Sequence, residues 1–233
     1  EADKRYIGKR LKHVTVMPNP LALTPVRFVA DGQVVDKEDE ETMKQPFILA
    51  AGRLDDWHCK GFDLLIKAWS LVEQKTDSVG RKWQLKIAGK DTPEALGYLK
   101  RLCQEYHVDG SVEFLGFRTD IDHLMQEASV FVLSSRYEGF GLVLIEAMSQ
   151  GCACVAADYK GRQREIIGDE SNGMLCPTED AGSLAEKMQY LISHPDERLQ
   201  MQRNAAERSK LFATENIIDK WERMLSDVAH ANS

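Results

Sequence analysis

The chain has 233 residues, 43% of them hydrophobic and 29% charged, which is enough to bury a core as one large or two small domains and too apolar for wholesale disorder. Its net charge of −7 speaks against a nucleic-acid domain, which would show a basic stripe. No apolar run approaches the roughly 20 residues of a membrane span, and no secretory h-region opens the chain.

The first ten residues, EADKRYIGKR, carry no initiator methionine and read as a start partway through a longer protein. VTVMPNPL follows, a short strand and a Pro-Asn-Pro turn, and then the acid-rich DGQVVDKEDEETMKQ, which reads as an exposed loop. Residues 1–46 are thus expected to be a linker and first strand leading into a domain over 47–212, with 213–233 a terminal helix.

From residue 47 the pattern is regular. FILAAG is a buried parallel strand ending in Gly, and GFDLLIKAWSLVEQ places Phe62, Leu65, Trp69 and Val72 at helical spacing. WQLKIAG is a second strand, followed by a helix from Pro93 to about Tyr106. SVEFLG is a third strand, and TDIDHLMQEA a short helix capped by Thr119 or Asp120. SVFVLSS, the helix GLVLIEAMSQ, the strand CACVAA, the turn RQREII and the strand GMLCP complete the alternation. Beyond Pro177 the chain is helical, with breaks at His194-Pro195 and Ala213-Thr214. The last helix gathers Ile217, Ile218, Trp221, Met224 and Leu225 on one face that must dock somewhere. Alternating strands and helices predict an α/β, doubly wound parallel sheet with a helical C-terminal segment. Of five cysteines, Cys152 and Cys154 flank Ala153 and should point to one face as buried thiols.

In such a sheet all strand-to-helix loops emerge at one carboxyl edge, where ligands bind. That edge collects Arg53 and Lys60 after the first strand, Gly89 with Lys90 and Asp91 after the second, Phe117 and Arg118 after the third, SRYEGFG after the fourth, and Asp158 to Arg162 after the fifth. Singly, Arg53 and Lys60 could be solvated loop charges, and Glu146 with Ser149 and Gln150 could be the solvent stripe of a helix. Gly139 and Gly141 let the backbone approach a ligand, and the helix beginning near Gly141 offers free N–H groups and a positive dipole end, an anion site. Glu138 before that helix and Glu146 one turn inside it could each accept hydroxyls on either side of a bound phosphate. The ligand form this suggests is ribose, diphosphate, then hexose.

Glu138 and Glu146, in EGFGLVLIE, resemble the E-x7-E motif of retaining group 1 (family 4) glycosyltransferases of the GT-B fold. The resemblance runs from MPNPL at Met17 through GRL and KG, the LGF loop, the glutamate motif and EII…NGMLCP to the terminal helices. It implies a Rossmann-like, C-terminal donor-binding domain for a nucleoside diphosphate sugar, with UDP as first guess, in hexose transfer for glycan or polysaccharide synthesis. By the same resemblance Arg53 and Lys60 contact the diphosphate together with the amides of Phe140 to Leu142, Glu138 holds the donor sugar and Glu146 the ribose. The nucleobase would lie near Gly89 and the Phe117-Arg118 loop. No cofactor or metal is implied, because two cations and a helix terminus can stabilise the leaving diphosphate. The acceptor would bind an N-terminal domain that this chain lacks, so the chain alone is expected to bind donor and not to catalyse transfer. A cytoplasmic location is expected, with the full enzyme peripheral to the inner membrane. The loop GRQREII departs from the family, whose loop often carries Gly-Gly or Gly-Pro there; Arg162 and Arg164 leave the sugar open.

Rival readings exist. Gly139, Gly141 and a following Asp158 match two-thirds of a dinucleotide fingerprint for NAD, but the third glycine position is Leu144. A nucleotide-sugar epimerase, a phosphorylase or a non-catalytic binding domain could use the same fold.

Overall fold

The computed structural model describes residues 17–30, 33–36, 41–76 and 83–231. Six parallel strands form the main sheet: β4 (Gln45–Ala51), β5 (Gln84–Ala88), β6 (Val112–Gly116), β7 (Ala128–Leu133), β8 (Ala153–Ala157) and β9 (Met174–Cys176). Their spatial order is β6-β5-β4-β7-β8-β9. The chain therefore steps outward from β4 to β6, returns, and steps outward the other way from β7 to β9. The reversal places a crevice at the carboxyl ends of β4 and β7.

Helices cover both faces: α1 (Trp57–Lys60), α2 (Phe62–Thr76), α3 (Pro93–Glu105), α4 (Ile121–Glu127), α5 (Leu142–Ser149), α6 (Arg162–Ile167), α7 (Ala181–Ser193), α8 (Pro195–Ser209) and α9 (Thr214–Ala231). All of β7 and β8 is buried, as the uninterrupted apolar runs require of central parallel strands. Along β7, Val130 and Val132 join one core with Trp69, Leu65, Leu184 and Met188, whereas Phe131 and Leu133 join the other with Leu144, Ile145, Met148 and Ala205. Trp69 is buried, and its indole N–H donates to Ser111 Oγ at 2.8 Å, so a large apolar side chain enters the core with its polar atom satisfied. Thr92 caps α3, accepting from Ala95 N at 3.3 Å with Pro93 in the first turn. Cys152 and Cys154 face the same core, and burial pushes both thiols up.

Several expectations need correction. The acid-rich segment is not simply a loop: within it lie β2 (Gln33–Val35) and β3 (Glu41–Met43), which with β1 (Arg27–Ala30) make an antiparallel sheet in the order β1-β2-β3. Val34 and Val35 are buried, and the sheet closes over Gly151, where an added Cβ would lie 3.1 Å from the Phe28 ring and 3.2 Å from Val34. Two valines and cross-strand pairing outweigh the local polarity. Residues 31, 32 and 37–40 lie outside the described residues, as do 14–16 of the expected opening strand; Met17–Pro20 is not a strand, and Leu21 makes one isolated bridge to Ala213. Asp120 stands at the N-cap of α4 without capping it, since its carboxylate is held by Arg118 at 2.6 and 2.8 Å. Ser149 and Gln150 are buried, so the helix face they share with Glu146 is not a solvent stripe. The apolar face of α9 docks through Ile217, while Ile218, Trp221 and Leu225 stay exposed.

One cation is folded inward. Lys44 Nζ donates to the carbonyls of Met125 at 2.9 Å and Gln150 at 2.8 Å, and burial pulls its pKa down to about 8, against the weaker opposing pull of the Cys152 and Cys154 thiols. The folded state thus releases this proton at lower pH than the unfolded chain, whose lysine titrates near ~10. Between those values the unfolded state binds more protons, so stability rises with pH. Denaturation midpoints at pH 7.5 and 9.5 are expected to show the protein gaining on the order of 2 kcal/mol relative to Lys44→Met, whose difference is otherwise independent of pH. A parallel response of the two proteins would contradict the assignment.

Candidate functional site

A cleft of about 420 Å³ opens at the switch point between β4 and β7. It is lined by Ala51, Gly52, Arg53 and Lys60 from the β4 side, by Glu138, Phe140, Gly141, Leu142 and Val143 from the β7 side, and by Asn19. The sheet order thereby brings together six of the site residues expected from sequence, Arg53, Lys60, Glu138, Phe140, Gly141 and Leu142, although the two groups are separated by about eighty positions along the chain.

Lys60 ends α1, where Gly61 takes the left-handed conformation at φ 66° and closes the turn. A Cβ at Gly61 would stand 2.1 Å from Ser134 O, so the end of α1 and the loop after β7 touch through backbone. Ser134 Oγ donates to Lys60 O at 2.9 Å, and Arg136 N to Cys59 O at 2.8 Å. The Arg136 guanidinium adds a bond to His58 O at 2.7 Å, a pair of bonds to the Asp63 carboxylate at 2.7 and 2.9 Å, and one to Glu179 at 3.2 Å. These contacts hold Lys60 against Glu138, whose Oε2 it meets at 3.2 Å with both side chains largely shielded from solvent. Nothing in the spacing of the sequence singled out Arg136; its signal is only that it sits in the same loop as Glu138.

On the glycine loop, Gly141 has φ 91° and precedes α5, which has no side-chain cap. Its positive φ explains the glycine, and the uncapped first turn leaves N–H groups directed toward the cleft. Gly139 has ordinary φ and no neighbouring atom within 4 Å of an added Cβ, so no packing contact within the protein requires glycine there. Arg162 Nη1 donates to Gly139 O, clipping the turn after β8 to the loop. Glu146 lies one turn into α5, partly buried, and burial alone raises its pKa.

Gly89, Phe117, Arg118, Gly139 and Glu146 are not among the residues that line the cleft. Arg53 borders it, but its guanidinium is held by Asp55 at 2.8 and 3.1 Å, which raises its pKa. Arg118 is turned onto Asp120 and Phe117 is 72% exposed, both on the β6 loop. Gly89 backs onto Gly52: an added Cβ would lie 1.7 Å from Gly52 O. Its evident task is to let the β5 loop support the β4 loop, which carries Arg53. Asp158, the acid of the dinucleotide alternative, is bonded to Arg164 at 3.2 Å. A second hollow of about 320 Å³ lies between β9, α7 and α8, lined by Lys187, Tyr190, Glu197 and Met201 among others, and has neither glycine loop nor cation pair. Among the described residues no helix is long and apolar enough to cross a membrane.

The architecture is that of a GT-B glycosyltransferase domain. The structure of TarM from S. aureus superposes with a TM-score of 0.77 over 96% of this chain and 42% of that one, at 22% identity, and HepE from Anabaena, solved in complex with UDP, with 0.69 over 79% and 49%, at 26% identity. The family model of glycosyl transferases group 1 matches residues 33–208, and the chain belongs to that family. An uncharacterized glycosyltransferase of Haemophilus influenzae is 29% identical over 227 residues, 97% of this chain, and the chain spans 59% of that relative's length.

Proposed function

We propose that this chain is the donor-binding part of a retaining glycosyltransferase, taking a hexose from a nucleoside diphosphate, with UDP favoured. The observation that carries this is the single cleft in which Lys60, Arg53, Glu138 and the open first turn of α5 converge. A diphosphate there meets Lys60, Arg53 and the amides from Phe140 to Leu142. Those groups stabilise the charge that develops on the leaving group as the glycosidic bond breaks, with no metal in that role. Glu138 accepts hydrogen bonds from sugar hydroxyls and Glu146 from the ribose; neither acts as nucleophile or base. Retention then follows from acceptor attack on the face the diphosphate leaves, with the departing phosphate taking the acceptor's proton. The acceptor binds a further domain, against which the exposed face of α9, Ile218, Trp221 and Leu225, would pack, so the chain alone binds donor without transferring it. We place the whole enzyme in the cytoplasm, peripheral to the inner membrane. The UDP bound in HepE supports the choice of base.

Calorimetric titration with UDP, GDP, ADP and NAD tests this. Saturable binding of UDP is expected, weakened about tenfold by Glu146→Ala through lost ribose bonds. Because burial raises the Glu146 pKa, acidification is expected to weaken binding more in the protein than in Glu146→Gln, the part due to the titration of the UDP phosphate being common to both. Preference for NAD, or silence toward all four, overturns the reading.

A further inference from the structure

The cleft contains a conflict. Lys60, the cation best placed for a diphosphate, is bonded at 3.2 Å to Glu138, the carboxylate best placed for the sugar. A diphosphate that draws the Lys60 ammonium leaves Glu138 in a shielded position with its hydrogen-bond donor gone, and an unsatisfied buried acceptor is costly.

A second donor lies near the Glu138 side chain. Gln163, in the first turn of α6, is fully buried. Its Oε1 accepts the backbone N–H of Tyr159 at 2.9 Å, and since an N–H can only donate to the oxygen, the amide cannot be flipped. Nε2 is therefore the other atom of the amide, and it is buried with no hydrogen-bond partner among the described residues. Such an orphan donor requires an explanation. It lies beside the glycine loop: from the point where a Cβ on Gly141 would stand, Gln163 Nε2 is 3.5 Å away and Glu138 Cγ is 3.6 Å away. The space that a Gly141 side chain would fill thus borders both Gln163 Nε2 and the Glu138 side chain, while the Arg162 bond to Gly139 O keeps α6 against the loop.

We propose that Gln163 is a positioning residue for Glu138, taking the carboxylate over from Lys60 when a donor binds. In the free protein Lys60 holds Glu138. With the diphosphate in place, Lys60 turns to the phosphate oxygens, one Glu138 oxygen rotates to accept from Gln163 Nε2, and the other is presented to a hydroxyl of the donor sugar. The exchange couples the two ends of the donor, since the sugar-binding geometry of Glu138 forms once the diphosphate has claimed Lys60. This rests on the donor-binding reading above.

The test separates the sugar from the nucleotide. UDP, UDP-glucose and UDP-N-acetylglucosamine are titrated into the protein and into Gln163→Met, which keeps the side-chain length and removes the donor. The affinity for UDP is expected to stay within about twofold, whereas the additional affinity of the better-bound sugar nucleotide over UDP falls about tenfold, the effect of one charge-assisted hydrogen bond. Gln163→Leu, of similar volume and likewise without the donor, is expected to lose the same increment and serves where Gln163→Met does not fold. An unchanged sugar increment overturns the proposal, as does an equal loss for UDP and both sugar nucleotides, which would make Gln163 a support of the loop alone. A protein that binds UDP with no sugar increment at all also overturns it while leaving the nucleotide reading intact. A protein that binds no nucleotide removes both.

Discussion

Replacing Lys60 by Met is expected to weaken nucleoside diphosphate binding on the order of a hundredfold, the largest effect of any single side chain in the cleft. Two causes act in the same direction. The ammonium is shielded, with 24% of its side chain exposed, so its bonds to phosphate oxygens form in a medium that screens them less than water does. Its loss also strips Glu138, 14% exposed, of its partner, leaving a carboxylate beside the incoming phosphates. Arg53→Ala should cost far less, roughly tenfold or below, because that side chain is 70% exposed and must first give up Asp55. Calorimetry on the two variants decides the matter: if Lys60→Met retains binding within about threefold, or if Arg53→Ala proves the more damaging, the diphosphate does not lie against α1 as argued.

Gly89→Ala is expected to lower stability by about 3–5 kcal/mol, far beyond an ordinary surface substitution. The added methyl would fall 1.7 Å from Gly52 O, 2.7 Å from Gly52 C and 2.8 Å from a Leu54 methyl, and two of those three atoms are backbone that no rotamer change can clear. The β4 loop has to shift, at the expense of the bonds from Gly52 N to Ala88 O at 3.0 Å and from Leu54 N to Lys90 O at 2.7 Å. Arg53 lies between those bonds, so nucleotide affinity should fall even at temperatures where the variant is fully folded. Gly110→Ala is the control, with nothing within 4 Å of the added carbon, and should cost under about 1 kcal/mol. Urea denaturation of both variants checks the contrast; equal midpoints would mean the two loops can separate freely.

The alternation of strand and helix was legible because each signal is local. A fully buried strand needs an uninterrupted apolar run, as in SVFVLSS and CACVAA, and an amphipathic helix needs apolar positions three and four apart, as in Phe62, Leu65, Trp69 and Val72. The carboxyl-edge rule places Arg53, Lys60, Glu138 and Gly141 on one rim from their positions after the strands alone. The small sheet of β1 to β3 escaped detection because strands of three and four residues with mixed polarity carry little periodic signal and are stabilised by cross-strand pairs and by the cover they form over Gly151. The apolar stripe of α9 marks the limit of the same local signal: it states that a helix can be covered and does not state by what, and here Ile217 is buried while Ile218, Trp221 and Leu225 stay exposed.

What the sequence by itself determined is the inventory of the rim, since residue type and position within an element follow from neighbours along the chain. Only the tertiary structure decided the pairings. Lys60 meets Glu138, Arg136 fastens α1 through His58 O and Asp63, Gly89 yields space to Gly52, and Gln163 and Glu138 both border the space beside Gly141. The first two come together because β7 returns to lie beside β4 rather than beside β6, the third because β5 lies beside β4, and the last because β8 lies beside β7. That choice of neighbour is made by the packing of whole layers, and no local pattern in either segment encodes it.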